Sequence, residues 1–404
     1  MRSAVGVAAA VAACMLAAVA AGAQPTVRLP AQDRTVAARF APVFQVGEAE
    51  GRSWEVFSEV RQLAFDARDN LYVLDRGNAR VLVFDRTGRF VRQVGKRGGG
   101  PGEFTSPARL SVTRDGSLVV ADQGRRAFSI FDAQGRFTRS VPYDAEFGIS
   151  GQGMEAHPRG GVVTGALPIP LGGGTPQNSV LWYPLARAGA TALLRVADEP
   201  AETSEPARSG GTRTRVITSR KPAFAPTLRW GLLPSGGVVA ATSAEYRLTV
   251  TDDRGTAVWV LERPIRPRAV TQRDRDAELA RRQEGGGRDI TVLGGGGSLE
   301  SLPPEVRGMV QSALRDVEFA RVIPVVRRLA ADPAGRIWVG RAGPDAGRPG
   351  PVDLLAADGR YLGTLAAQEV PDAFSPSGAR AAYITRDEEG VERVVVRTIP
   401  ALPR

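Results

Sequence analysis

Cysteine and histidine occur once each in the 404-residue chain, at Cys14 and His157, and lysine only twice, at Lys96 and Lys221. A zinc site takes three or four nitrogen, sulfur or carboxylate ligands, so a histidine-built metal centre is excluded. Any Ser–His or Cys–His nucleophile would have to use His157. That residue opens the turn His157-Pro158-Arg159-Gly160-Gly161 and reads as an exposed turn residue. Aromatic residues make up 6% of the chain and form no stripe interleaved with arginine. The stacking surface that holds single-stranded RNA is therefore missing, and no nucleic-acid partner is expected. After residue 23 no segment is long and apolar enough to cross a bilayer, which takes about 20 such residues.

Turn formers are plentiful. There are 47 glycines and 29 prolines, about a fifth of the chain, which points to many turns and away from a helical bundle. The 43% hydrophobic and 24% charged residues are ordinary for a globular protein and exclude overall disorder. The length exceeds one small core, so several domains or one large repeat architecture is required. The net charge is +10, and all but two of the 53 cations are arginine. Such a balance can mark nucleic acid, anionic membrane or polyanionic sugar. Here the arginines are spread along the whole chain, as heavy arginine usage in a GC-rich genome would produce.

Residues 1–23 read as a secretory signal peptide. Arg2 supplies the positive start, residues 4–19 are almost wholly Ala and Val, and Ala21-Gly22-Ala23 fits small-x-small cleavage before Gln24. A membrane anchor is the rival, but the stretch is short and Ala-rich. Val11-Ala12-Ala13-Cys14 also resembles a lipobox that would lipidate Cys14; against it, residues 15–21 stay apolar where a lipoprotein turns polar. With the leader removed, the mature chain has no cysteine and no disulfide. The expectation is a periplasmic or extracellular protein, monomeric and not transmembrane after processing.

An internal repeat organises the rest. Residues 63–75 lie over 110–122 without gaps at an offset of 47, and the same offset pairs Phe84-Asp85 with Phe131-Asp132 and Gly88-Arg89-Phe90 with Gly135-Arg136-Phe137. Each unit reads as four short strands; in the first they are 61–65, 71–74, 80–84 and 90–94. Turns fall at Arg68-Asp69-Asn70 and Arg86-Thr87-Gly88, where Asn and Gly tolerate positive φ. Noisier copies give six units starting near 61, 108, 154, 228, 327 and 372. The sixth lacks its fourth strand, while residues 42–47 resemble the fourth strand at 90–95 and have no unit of their own. Borrowing that strand would close a ring without an open seam.

The run Asn70-Leu71-Tyr72-Val73-Leu74-Asp75, with Gly77-Asn78, Arg80-Val81 and Gly88-Arg89-Phe90, resembles NHL-type repeats. The loop over 95–104 is similar to the inter-blade loop of secreted bacterial six-bladed propellers. The resemblance implies an all-β, six-bladed β-propeller over 36–404, with strand 42–47 completing the last blade. It spans a family of binders, scaffolds and a few enzymes. Two insertions interrupt the pattern. Residues 197–224 are polar and read as an exposed loop or outer-strand excursion. Residues 268–326 read as a small helical insertion, with helices over 271–284 (N-cap Thr271) and 301–320. In the second, Val306, Met309, Val310, Ala313, Leu314 and Val317 make a stripe that can pack on the propeller; a membrane-surface helix is the rival, but the segment is not especially basic.

Candidate chemistry is sparse. Asp66, Asp75, Asp122 and Asp332 recur at repeat positions, which suits aspartates capping turns. Carboxylates could also hold Ca2+, as in gluconolactonase- and regucalcin-like propellers; otherwise no cofactor is expected. Gly98-Gly99-Gly100-Pro101-Gly102 suggests a phosphate loop but lacks the Lys-Ser/Thr ending and a following helix, so an inter-blade turn accounts for it better. The loops between second and third strands, and between blades, carry Arg76, Asn78, Arg97, Glu103, Gln123, Arg125, Arg126, Arg341 and Arg348. This loop face is the candidate ligand surface, suited to carboxylate, sulfate or phosphate, although Arg68, Arg89, Arg114 and Arg136 would lie opposite. The reading is a non-catalytic exported scaffold for a protein partner, an anionic small molecule or a polysaccharide. The alternative is a metal-dependent lactonase or esterase. Carboxylate or Asn oxygens converging in the central channel would favour the enzyme; apolar groups and arginine would favour the binder.

Overall fold

The computed structural model describes residues 24–403 apart from 144–146, 169–176, 187–188, 198–201, 204–206, 210–211, 219–220, 286–289, 294–307, 309–316, 346–347 and 367. The leader therefore lies outside the described residues.

Six antiparallel sheets form the blades of a propeller, each running outward from the axis. Blade 1 is Val60–Phe65, Leu71–Asp75, Arg80–Phe84 and Phe90–Val94; blade 2 is Pro107–Val112, Leu118–Asp122, Ala127–Phe131 and Phe137–Pro142. Blade 3 is Phe147–Ala156, Val162–Pro168, Gln177–Tyr183 and Thr191–Ala197; blade 4 is Arg229–Leu232, Val238–Ala241, Arg247–Thr251 and Ala257–Glu262. Blade 5 is Val326–Ala331, Ile337–Ala342, Pro349–Leu355 and Tyr361–Leu365; blade 6 contributes Ala373–Phe374, Arg380–Arg386 and Glu392–Thr398. The register repeats: Leu63 faces Val73, Leu110 faces Val120, and Leu329 faces Val339.

Burial follows from this geometry. The second and third strands of blades 1 and 2 are buried at every residue, because a neighbouring blade covers each face. Outer strands such as Phe90–Val94 alternate, since solvent reaches them. The apolar core is accordingly divided among the seams. Leu74, Val81, Phe104, Leu110 and Val120 fill the seam between blades 1 and 2; Phe128, Met154, Val162 and Tyr183 fill that between 2 and 3. Leu71, Leu82, Val46, Val394 and Val396 fill the seam between blades 6 and 1.

The N-terminal segment straps three blades together. Strand β1 (Thr26–Arg28) pairs in parallel with the outer strand of blade 4, Val27 opposite Leu261. Thr35 bridges Thr364 on blade 5. Strand β2 (Pro42–Val46) then pairs antiparallel with Glu392–Thr398, Gln45 opposite Val395, and supplies the missing fourth strand of blade 6. The strap begins ahead of the expected boundary at residue 36. It also reaches across the closing seam: a Cβ at Gly88, in the blade 1 turn at φ +87°, would stand 2.7 Å from the Phe44 ring.

The insertions differ from expectation. Within 197–224, Glu202–Thr203 and Ala207–Ser209 both pair with Thr212–Thr218, which in turn pairs with Ile290–Leu293 from the other insertion. This is a small sheet shared by both insertions, built from the β-branched run Thr212–Thr218. Helix α1 (Gln272–Gly285) forms as expected. Thr271 caps it: the Asp274 amide donates to Thr271 Oγ1 at 3.3 Å, and the Thr271 amide donates back to Asp274 Oδ2 at 2.9 Å. Most of the second expected helix lies outside the described residues. Its last residues are not helical, since Phe319 bridges Ala223 and packs with Phe224.

Candidate functional site

The recurrent aspartates act as turn and loop anchors. Asp66 Oδ1 accepts the amides of Arg68 and Asn70 at 2.8 and 3.0 Å. Asp332 Oδ1 accepts those of Ala334 and Arg336, both at 3.0 Å. Buried Asp75 accepts the Ser58 and Glu59 amides at 3.1 and 3.2 Å, and Asp122 accepts the Thr105 and Ser106 amides at 2.7 and 2.9 Å. Each of the last two ties the chain entering a blade to the loop after its second strand.

His157 is a correction. It occupies the repeat position of Asp66 and Asp332 but is only 1% exposed. Its Nδ1 accepts the Arg159 amide at 3.1 Å, as the aspartates accept theirs, and its ring stacks on Trp182 at 4.6 Å. Burial lowers its pKa, so the neutral imidazole serves as an uncharged cap.

The loop-face residues bond mainly to their own blades and loops. Arg76 Nη1 reaches Glu59 at 3.3 Å, Asn78 donates to Asp75 at 2.8 Å, and Arg97 Nη2 donates to the Gly77 carbonyl at 2.6 Å. Arg125 Nη1 donates to the carbonyls of Gly100 and Glu103 at 2.7 and 3.1 Å. The Gln123 amide donates to the Ser106 carbonyl at 2.9 Å, and the Arg126 amide to the Gln123 carbonyl at 3.3 Å. Arg341 stands apart on blade 5, where its Nη2 donates to Asp33 of the strap at 2.6 Å. Arg348 is exposed and 3.6 Å from Asp345. The glycine loop already holds an anion of its own: Glu103 Oε2 accepts the Gly100 amide at 2.8 Å, and Lys96 lies 3.3 Å from Oε1. None of these nine residues lines the central cavity.

That cavity, about 720 Å³, runs along the axis and is walled by the innermost strands of all six blades. At one level the equivalent repeat positions are Gln62, Arg109, Gly153, Arg229, Arg328 and Pro371, and all six line it. Gln62 spans from blade 1 to blade 3, its Nε2 donating to the Met154 carbonyl at 2.7 Å and its Oε1 accepting the Met154 amide at 3.2 Å. Arg109 is 4% exposed; its Nε donates to the Gln152 carbonyl at 2.8 Å and Nη1 to the Ala108 carbonyl at 2.6 Å. Burial, then the charges of Arg61 and Arg76, push its pKa down to about 9. Arg229 is lowered to about 10 by burial, then by Arg327 and Arg328. Among the described residues neither Arg109 nor Arg229 has an ion-pair partner, whereas Arg328 pairs with Asp372 at 2.7 Å.

Arg61, Arg114 and Arg327 also line the cavity, against the carboxylates Asp66, Glu155, Asp332 and Asp372. Asp66 and Asp332 are held in their turns, and Asp372 also accepts the Ile384 amide at 2.7 Å. Among the described residues no three His, Cys, Asp or Glu side chains gather as a metal site. Glu155 Oε1 accepts the Leu232 amide at 3.4 Å, and burial pushes its pKa up to about 7.

A pH effect follows. A raised folded pKa stabilises the fold fully below the unfolded value near 4.5, and that contribution disappears as pH rises through about 7. Glu155→Gln removes the half-buried charge. Its stability advantage over wild type should be absent at pH 4.5 and grow to on the order of 2 kcal/mol by pH 8, because lumen water screens part of the shift. Denaturant titrations at the two pH values measure it, and an advantage that does not change with pH contradicts this account.

The sequence reasoning missed this arginine pair, although its signal was present. The offset of 120 residues that lays Trp230 over Leu110 lays Arg229 over Arg109.

A family model described as a 6-bladed beta-propeller matches residues 55–151. No curated protein sequence matches the chain. Among solved structures, a Bacteroides fragilis protein described as exported is 12% identical, with 93% of this chain and 99% of that chain covered at a TM-score of 0.47. The calcium-binding protein regucalcin from Agrobacterium tumefaciens is 12% identical, with 94% and 98% covered at 0.37. A streptogramin B lyase is 11% identical, with 85% and 94% covered at 0.36.

Proposed function

We propose that this chain is an exported propeller scaffold, without chemistry of its own, that binds an anionic ligand inside its channel. The observation that carries this reading is the pair of buried Arg109 and half-buried Arg229 in the cavity wall, neither with an ion-pair partner among the described residues. A buried charge without a counter-charge is costly, and an anion from solvent supplies the missing partner. Guanidinium groups suit carboxylate, sulfate and phosphate because they can donate two parallel hydrogen bonds. The loop-face arginines are less suited, since none of them lines the cavity. The leader supports export. A metal-dependent lactonase would need oxygens free to converge; of the channel carboxylates, Asp66 and Asp332 are held in turns and Asp372 in a pair with Arg328.

The test is calorimetric titration of the mature protein with citrate. Binding should weaken as salt is raised and fall at least tenfold in Arg109→Gln, while Arg348→Glu, on the exposed loop face, leaves it unchanged. Citrate binding indifferent to Arg109 and Arg229, or absent, overturns the reading.

A further inference from the structure

We infer that the channel's ligand carries two separated anionic groups, one held at Arg109 of blade 2 and the other at Arg229 of blade 4. This inference rests on the reading of the channel as an anion site and adds the ligand's class. The two arginines occupy the same repeat position two blades apart, at one level of one cavity. Between them, blade 3 places Gly153 at that position, and the adjoining Gln152 side chain turns toward blade 4, its Oε1 accepting the Trp230 amide at 3.3 Å. The end of Gln62 lies beside Gly153: its Nε2 is 3.4 Å from where a Cβ on that residue would stand.

The two guanidinium groups are separate centres of charge. Arg61, Arg76 and, in the opposite sense, Glu59 act on Arg109, Arg327 and Arg328 act on Arg229, and neither set overlaps the other. One small anion neutralises only one centre. The cavity volume of about 720 Å³ lies in the range of small-molecule sites, roughly 300–1,000 Å³. Leu63, Met154, Trp230 and Leu329 give its wall apolar surface near the same level. Two acidic ends joined by an apolar spacer match that pattern, and an α,ω-dicarboxylate is the simplest such molecule.

The experiment titrates the mature protein with glutarate, adipate and suberate, and with monocarboxylates of equal carbon number. One dicarboxylate should bind at least tenfold more tightly than its matched monocarboxylate. Arg109→Gln and Arg229→Gln should each reduce it to the monocarboxylate level, with circular dichroism confirming the fold. Dicarboxylates no tighter than matched monocarboxylates, or an advantage that depends on one arginine alone, overturn the inference while leaving the channel an anion site. No carboxylate binding, or binding indifferent to both arginines, overturns the site and the inference together. If a variant fails to fold, the wild-type comparison of dicarboxylate with monocarboxylate decides.

Discussion

Arg263→Ala should lower the stability of the mature protein by about 3–5 kcal/mol, the range for removing one partner of a buried ion pair. The Arg263 side chain is fully buried, and so is that of Asp353, to which its Nη1 donates at 2.6 Å. Its Nε donates to the Pro30 carbonyl at 2.7 Å, and Nη2 to the Gln32 carbonyl and Asp33 Oδ1 at 2.9 and 2.7 Å. The guanidinium also lies 4.6 Å from the centre of the Tyr361 ring. One side chain thus joins blade 4, blade 5 and the strap. Alanine leaves the Asp353 carboxylate buried with Thr364 Oγ1 at 2.7 Å and Arg341 Nε at 3.5 Å. The measurement is the urea midpoint at constant m-value; a loss below about 1 kcal/mol contradicts the prediction. Arg263→Met with Asp353→Leu should recover much of the loss, because replacing both charges removes the stranded one.

Deleting residues 24–46 should abolish cooperative unfolding. The deletion removes β1, the bridge at Thr35 and β2, and exposes the edge of Glu392–Thr398. It removes Leu29 and Val46 from the seams they fill, burial worth about 1.5–3 kcal/mol each. It also takes away the hydrogen bonds of two strands, each worth about 1 kcal/mol net, and the partners of Arg263. Together these approach the whole stability of a typical domain, about 5–15 kcal/mol. Scanning calorimetry of the truncated protein should show no sharp transition; a cooperative transition within a few degrees of the mature protein would refute this.

The architecture was legible because it is written locally and repeated. Residues 71–75 and 118–122 announce fully buried strands, the turns carry Asp and Gly at fixed offsets, and the closing strand betrays itself by resembling 90–94. The site was less legible because an arginine's role depends on its neighbours in space. Arg125 and Arg109 look alike in sequence, yet one holds loop carbonyls and the other stands in the channel wall without a carboxylate. Arg341 found its partner in Asp33, 308 residues away, which no local pattern announces. His157 shows the same limit: its turn was recognised, but Trp182 packing over the ring was not. The small sheet of the insertions escaped notice because its two longest strands come from different insertions.

The strap has a consequence for how the protein is made. Gln45 is synthesised early, and its partner Val395 follows about 350 residues later. Until then five blades can assemble while β2 waits unmatched, its backbone donors open to any passing chain. The last blade therefore closes only when both ends of the chain are present, so ring closure is the final step of assembly.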